Sequence, residues 1–193
     1  MAGKIVIINA FDGEDFFISK LYEEYENALM KRNMQPEILF VNQMNFSFTP
    51  FPEQYSFQSL EHDLQRSVSL IKEASTLAIF TSAKKDKASP VLKQFVSRLF
   101  HLKSGKVNSE IWGHISAYSK VLRIITVLDD PETWKAFHNN RKRSIVPLPK
   151  VSFGLFGFGQ VFSRTFGYLK EDGLLNDYAR KCLKAMRDMA EKD

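Results

Sequence analysis

Between Thr76 and Phe100 the sequence reads TLAIFTSAKKDKASPVLKQFVSRLF, a buried strand, a polar loop and a capped amphipathic helix in direct succession. Leu77, Ala78, Ile79 and Phe80 form an apolar run without alternation, the pattern of a strand covered on both faces of a parallel sheet. Ser89 supplies an N-cap oxygen and Pro90 stands where a missing N–H is harmless. Val91, Leu92, Phe95, Val96, Leu99 and Phe100 then recur at helical spacing. This is half of a βαβ unit. Its loop, Thr81 to Ala88, falls at the carboxyl end of a strand, where open α/β sheets bind ligands.

The same grammar repeats along the chain. Lys4 to Ile8 predicts strand one, and Asp15 to about Arg32 predicts helix one, with an apolar stripe of Phe17, Leu21, Tyr25, Ala28 and Leu29. Ile38 to Val41 predicts strand two. An aromatic, proline-punctuated loop follows, then a helix from about Gln58 to Glu73 carrying Leu60, Leu64, Val68 and Ile71. Thr76 to Thr81 predicts strand three and Ser89 to Leu102 helix three. Between Lys103 and Lys120 the pattern weakens into a loop or short helix around Trp112 and Tyr118. Val121 to Leu128 predicts strand four, and Asp130–Pro131 opens a fourth helix as Ser89–Pro90 opens the third. Strand five is placed at Gln160 to Tyr168, with Val151 to Phe156 competing, before a last helix from about Leu174 to Ala190. Strands alternating with helices, joined by right-handed crossovers, specify a parallel sheet covered on both faces.

Composition narrows the class. At 193 residues the chain has room for one well-buried α/β domain, residues 1–193. Cys182 is the only cysteine, which excludes a disulfide framework and fits a reducing compartment; no apolar run approaches the roughly 20 residues of a membrane span. The expectation is a cytoplasmic protein with no membrane partner. A net charge of +5 attracts anions, but the basic residues are dispersed except at Arg141, Lys142 and Arg143, and no nucleic-acid motif is present, so no nucleic-acid partner is expected. His62, His101, His114 and His138 lack the mutual spacing of a zinc site, and no metal is expected. There is no P-loop, no G-x-S-x-G turn and no G-x-G-x-x-G after a strand.

Taken in order, these segments resemble the flavodoxin-like NAD(P)H-dependent oxidoreductases, above all the quinone-reductase branch and bacterial FMN reductases. KIVIINAFDGEDFFISKLYEEYENAL resembles the family's opening strand, loop and helix, and FTPFP stands in the place of its Phe-x-Pro loop. HDLQRSVSLIKEASTLAIFTS is similar to its second helix and third strand, and SPVLKQFVSRLF to its proline-initiated segment. SKVLRIITV and FGQVFSRTFGYL resemble strands four and five. The resemblance implies a flavodoxin-like three-layer sandwich with a five-stranded parallel sheet in the order 2-1-3-4-5. It implies FMN at the carboxyl ends of the strands and NAD(P)H as co-substrate. The implied reaction is hydride transfer through the flavin to a quinone or similar small-molecule acceptor, in a homodimer.

Carried onto this sequence, the resemblance assigns cofactor contacts to Ala10, Phe11, Gly13, Phe17 and Ser19 after strand one. Thr81, Ser82, Ala83 and Lys84 follow strand three, and Leu128 and Asp129 follow strand four; Trp112 or Tyr118 would line the acceptor side. No catalytic residue is assigned. The three loops also depart from the family pattern. Asp12, Glu14 and Asp15 have the wrong sign for a phosphate, although Asp15 reads equally as a helix cap with the other acids complementing the dipole. The aromatic platform after strand three is replaced by Lys84, Lys85, Asp86 and Lys87, and Leu128–Asp129–Asp130–Pro131 replaces a Thr-Thr-Gly-Gly turn. A retained scaffold with altered loops opens a second reading: a diverged relative that has lost FMN binding and acts as a binding or interaction protein.

Overall fold

The computed structural model describes residues 3–11, 16–47, 61–84, 87–104, 120–128, 132, 135, 158–167 and 177–193. Five parallel strands run through it: β1 (Ile5–Ala10), β2 (Glu37–Phe40), β3 (Thr76–Lys84), β4 (Lys120–Leu128) and β5 (Phe158–Phe166). They lie side by side in the order β2-β1-β3-β4-β5, as the resemblance implies. The described helices are α1 (Phe16–Lys31), α2 (His62–Glu73), α3 (Pro90–Ser104) and α4 (Asp177–Ala190). Glu132 and Lys135 are also helical, in the stretch where Asp130–Pro131 predicts a fourth helix.

Alternation along the strands divides the core into two layers. Val6 and Ile8 of β1, Leu77 and Ile79 of β3, and Leu122 and Ile124 of β4 pack against Leu64, Val68 and Ile71 of α2 and Leu92, Phe95 and Leu99 of α3. On the other face, Ile5, Ile7, Ala78, Phe80, Ile125 and Val127 meet Phe17, Leu21, Tyr25 and Leu29 of α1 and Cys182, Met186 and Met189 of α4. β3, at the centre, is buried at every position from Thr76 to Ala83, which is why its sequence shows no polar alternation.

Local rules set the ends of the elements. Ser89 caps α3, its hydroxyl accepting the Leu92 amide at 3.3 Å. Asn33 ends α1 with φ 58°, a left-handed conformation that asparagine tolerates. The Asn33 and Met34 amides there return to the Met30 and Leu29 carbonyls at 2.9 and 3.1 Å, closing a Schellman motif. At the amino edge of the sheet, the Lys120 ammonium donates to the Ile71 and Lys72 carbonyls, satisfying the exposed end of α2.

Several placements differ from the sequence expectation: β1 runs on past Ile8 to Ala10, and β5 spans Phe158–Phe166 in place of the expected Gln160 to Tyr168. β2 begins at Glu37 and gives way at Val41 to a short 3-10 turn, Val41–Gln43, which turns the buried Val41 into the α2 layer. The polar segment after Thr81 is not a loop from its start. β3 continues to Lys84, because Ser82 and Ala83 still pair with Val127 and Leu128, and Lys87–Ala88 then folds back as an antiparallel arm. The weak segment around Trp112 and Tyr118 and the competing strand at Val151 to Phe156 lie outside the described residues.

One charge sits inside the apolar face. Arg123, mid-strand in LRIITVL, is 5% exposed and its side chain passes under Asp193, beyond the end of α4. Arg123 Nε donates to Asp193 Oδ1 and Oδ2 at 2.5 and 2.7 Å, and a second guanidinium nitrogen also reaches Oδ1. The Tyr25 hydroxyl of α1 donates to Asp193 Oδ2 at 2.5 Å, while Arg32 donates to the Ala190 carbonyl at 2.7 Å. The guanidinium carbon also lies 5.2 Å from the Phe162 ring centroid. A buried, multiply hydrogen-bonded ion pair thus fastens α4 to β4 and α1.

Candidate functional site

The carboxyl ends of β1, β3 and β4 form one continuous rim. Ala10 pairs with Thr81, and Ala83 pairs with Leu128, so residues assigned from three separate stretches of sequence are ladder neighbours. Ala10, Thr81, Ser82, Ala83 and Leu128 are all buried, and the short side chains on β1 and β3 keep the rim low. Phe11 follows Ala10 and is buried as well, its amide donating to Asn9 Oδ1 at 3.3 Å in an Asx-type turn. Its ring meets Phe80 edge-on at 6.4 Å, and Phe80 in turn meets Tyr22 and Tyr25 at 5.8 and 5.5 Å. The aromatic content of this region is therefore support beneath the rim.

The remaining assigned positions separate. The Phe17 side chain is in the core between α1 and the sheet, and Ser19 is exposed in the first turn of α1. Lys84 is the last residue of β3, opposite Lys87 in the arm. Gly13 and Asp129 lie outside the described residues, as do Asp12, Glu14, Asp15, Asp130 and Pro131.

The sequence reading reaches Thr81 but not the polar row to which it belongs. Thr81, Thr126 and Thr165 occupy paired positions on three adjacent strands, on the face that carries α2 and α3. Thr81 Oγ1 donates to the Ser82 carbonyl at 3.2 Å, whereas the buried Thr126 Oγ1 has no hydrogen-bond partner. The signal was one hydroxyl in the run LRIITVL, but a threonine is also an ordinary β-branched strand residue.

Beside the rim, the chain leaving β2 is tied down by carboxylates. Glu61 Oε1 accepts the Ser47 amide at 2.9 Å and Asp63 Oδ2 accepts the Asn45 amide at 2.8 Å. Arg98 of α3, whose side chain is buried, holds both Glu61 oxygens at 2.7 and 2.9 Å. A cavity of about 470 Å3 opens between Asn45, Phe46, Ser47, Glu61, His62 and Asp63, but its carboxylates are already engaged in holding backbone. Among the described residues no group of three His, Cys, Asp or Glu side chains could hold a metal ion, and no helix is long and apolar enough to cross a membrane.

No family model matches the sequence, and no curated protein matches it. Solved structures do. NAD(P)H:quinone oxidoreductase from Methanothermobacter marburgensis superposes with a TM-score of 0.69 at 16% identity, over 98% of this chain and 95% of that one. RosB with a bound 8-demethyl-8-formylriboflavin-5'-phosphate intermediate gives 0.67 at 13% identity, over 99% and 80% of the two chains. The FMN-dependent NADH-azoreductase from Bacillus anthracis str. Ames Ancestor, in complex with FMN, gives 0.64 at 13% identity, over 98% and 99%. The chain has the flavodoxin-like fold. In a flavodoxin-like sheet the strand order reverses between β1 and β3, and the crevice at that switch point is the one bounded here by Ala10, Thr81 and Ser82.

The rim fits part of a flavin. A planar ring needs a low, uncharged edge to lie against, and Ala10, Ser82 and Ala83 provide one. The charge pattern fits the phosphate less well, since Asp12, Glu14 and Asp15 follow β1 in the sequence.

Proposed function

We propose that this protein is an FMN-dependent NAD(P)H oxidoreductase of the quinone-reductase type. The observation that carries the reading is the low rim of Ala10, Thr81, Ser82, Ala83 and Leu128 at the switch point of the sheet. It is supported by similarity over nearly the whole chain to enzymes whose names specify quinone, FMN and azo reduction. When bound, FMN would supply hydride transfer between NAD(P)H and a quinone or a similar small-molecule acceptor. The chain's own part is positional. Thr81, Ser82, Ala83 and Lys84 would border the ring on the β3 side, Leu128 and Asp129 on the β4 side, and Ala10, Phe11 and Gly13 on the β1 side. Phe17 would act through the core beneath that loop, and Ser19 through the first turn of α1. We place the protein in the cytoplasm, as a homodimer.

The alternative, a diverged protein without FMN that serves in binding or interaction, is favoured by the acidic run after β1 and by Pro131 in place of a glycine turn after β4. The visible spectrum of the purified protein, before and after incubation with FMN and desalting, decides between them. Retained flavin that bleaches with NADH or NADPH and recovers with a quinone supports the oxidoreductase. A colourless protein that releases all added FMN refutes it. Light scattering tests the dimer, a monomer counting against it.

A further inference from the structure

β5 leaves the sheet open on one side. It runs nine residues, Phe158–Phe166, alongside β4, and among the described residues no strand pairs with its other side. A free strand edge is a template for another strand, and proteins usually blunt it with short strands, lysine, proline or inward-pointing charge. The opposite edge follows that rule: β2 has four residues and begins on Glu37, which forms an ion pair with Arg66 at 3.6 Å. β5 does not. From Gln160 to Phe166 it reads QVFSRTF, with no proline, lysine or acid, and its one irregularity lies before Gln160, where the register shifts between Lys120 and Val121. Gln160, Phe162, Ser163 and Arg164 are exposed, and Phe162 keeps 49% of its surface in solvent although its ring lies beside the Arg123 guanidinium.

We propose that this free edge is a dimer interface, at which two copies of the chain pair their β5 strands antiparallel about a two-fold axis through Ser163. The proposal rests on the dimeric part of the reading above and not on the flavin. Antiparallel strands meet residue against residue, so a strand that pairs with its own copy must put one residue on the axis. Ser163 is the midpoint of the regular stretch Gln160–Phe166, and this register uses all of it. Phe162 and Arg164 pair with Arg123 and Ile125, on the face that carries α1 and α4. There Phe162 meets the partner's Arg164, a cation against an exposed ring, and symmetry repeats the pair. On the other face Val161 meets the partner's Thr165, and Ser163 meets its own copy, hydroxyl to hydroxyl. An axis at Arg164 would oppose like charges, and one at Phe162 would draw the irregular start of the strand into the ladder. The crevice between β1 and β3 lies away from this seam.

The test is covalent trapping followed by charge exchange. In Ser163→Cys two thiols would face each other across the axis, with Cα atoms about 4.5–5.5 Å apart, inside the disulfide range. Oxidised glutathione takes up the two electrons as the sulfurs join, and the native Cys182 is buried. Non-reducing electrophoresis is expected to show the chain mostly as a covalent dimer. Gln160→Cys, set by this register against the partner's Phe166, should give at least about fivefold less. Light scattering then reads free association. The unmodified protein is expected to be a dimer. Ser163→Lys and Ser163→Glu each place like charges on the axis and should weaken it at least about tenfold, while their equimolar mixture should restore it. Because Ser163 is exposed, both variants should keep the unmodified far-UV circular dichroism spectrum. A monomeric unmodified protein overturns the interface and the dimer together. A dimer that persists in both charged variants, or that Ser163→Cys cannot trap, overturns the interface alone. Charged variants that stay monomeric when mixed overturn its axis, and the proposal with it. The flavin spectrum reports separately on the oxidoreductase reading.

Discussion

Asp193→Ala is expected to be among the most damaging single substitutions the chain can carry, although it touches no part of the crevice. The Arg123 and Asp193 side chains are 6% and 1% exposed. Removing the carboxylate strands a guanidinium in the layer between β4, α1 and α4, and leaves the Tyr25 hydroxyl without its acceptor. Breaking a buried pair from one side costs about 3–5 kcal/mol, a large part of the roughly 5–15 kcal/mol that holds an ordinary domain folded. With a urea m-value of about 2 kcal/mol/M, the midpoint should fall by roughly 1.5–2.5 M. The control is Arg123→Met/Asp193→Ala, which removes both charges. It should recover most of the loss, since replacing a buried pair with apolar side chains is often close to neutral. Urea unfolding of the three proteins, followed by far-UV circular dichroism, checks both statements. A loss below about 1 kcal/mol for Asp193→Ala would refute the reasoning, and so would a double variant no more stable than the single one.

The orphaned hydroxyl gives the opposite sign. Thr126→Val should stabilise the protein by about 1 kcal/mol, because a buried donor without an acceptor is replaced by a methyl group; a lower melting temperature would show that the hydroxyl is satisfied in solution. Alkaline pH should destabilise the fold. Burial raises the Tyr25 and Tyr22 hydroxyls, takes Tyr178 up to about 12 and also raises the Cys182 thiol, so in each case the folded state holds its proton more tightly than the unfolded chain. These contributions are present below the ordinary values of 9.0 and 10.0 and are lost as pH rises past them toward the folded values. Lys120 works the other way: burial lowers its value, so its penalty is present at neutral pH and disappears above 10.5. The melting temperature should fall steadily above about pH 9, and a flat profile from 9 to 11 contradicts this. Gly3→Ala should cost about 1–3 kcal/mol, because the added Cβ would stand 1.9 Å from Ser75 Oγ and 2.5 Å from Ser75 Cβ; an unchanged unfolding midpoint would dispose of the steric argument.

The fold was legible because the central strands announce their own environment. β3 and β4 are apolar without alternation, Ser89–Pro90 marks a helix start within a residue, and Leu64, Val68 and Ile71 give the core stripe of α2. What escaped depends on tertiary pairing. Nothing local says that β3 runs on through Ser82 and Ala83, because serine and alanine before a lysine cluster read as loop; the ladder to Val127 and Leu128 carries the strand onward. Arg123 likewise looked like one tolerable charge in an apolar run. Its partner lies 70 residues away in the sequence, and only the parallel crossover brings the two together.

The site was legible in a different sense. Flavodoxin-like topology alone dictates that Ala10, Thr81 and Leu128 share one edge, so locating the crevice required only the order of the strands. The chemistry of the crevice resides in side chains that the topology leaves free to vary, and there this sequence carries acids after β1, lysines after β3 and Asp129–Asp130–Pro131 after β4. Variation at these strand ends costs the scaffold little. The Arg123–Asp193 lock lies in the core layer that joins α1 and α4 to β4, five residues down that strand from Leu128, or roughly 17 Å at strand rise. Substitutions at sites that far apart usually act additively. A sheet held from its amino half can change the charge of its carboxyl edge, and with it the ligand it prefers, without losing its fold.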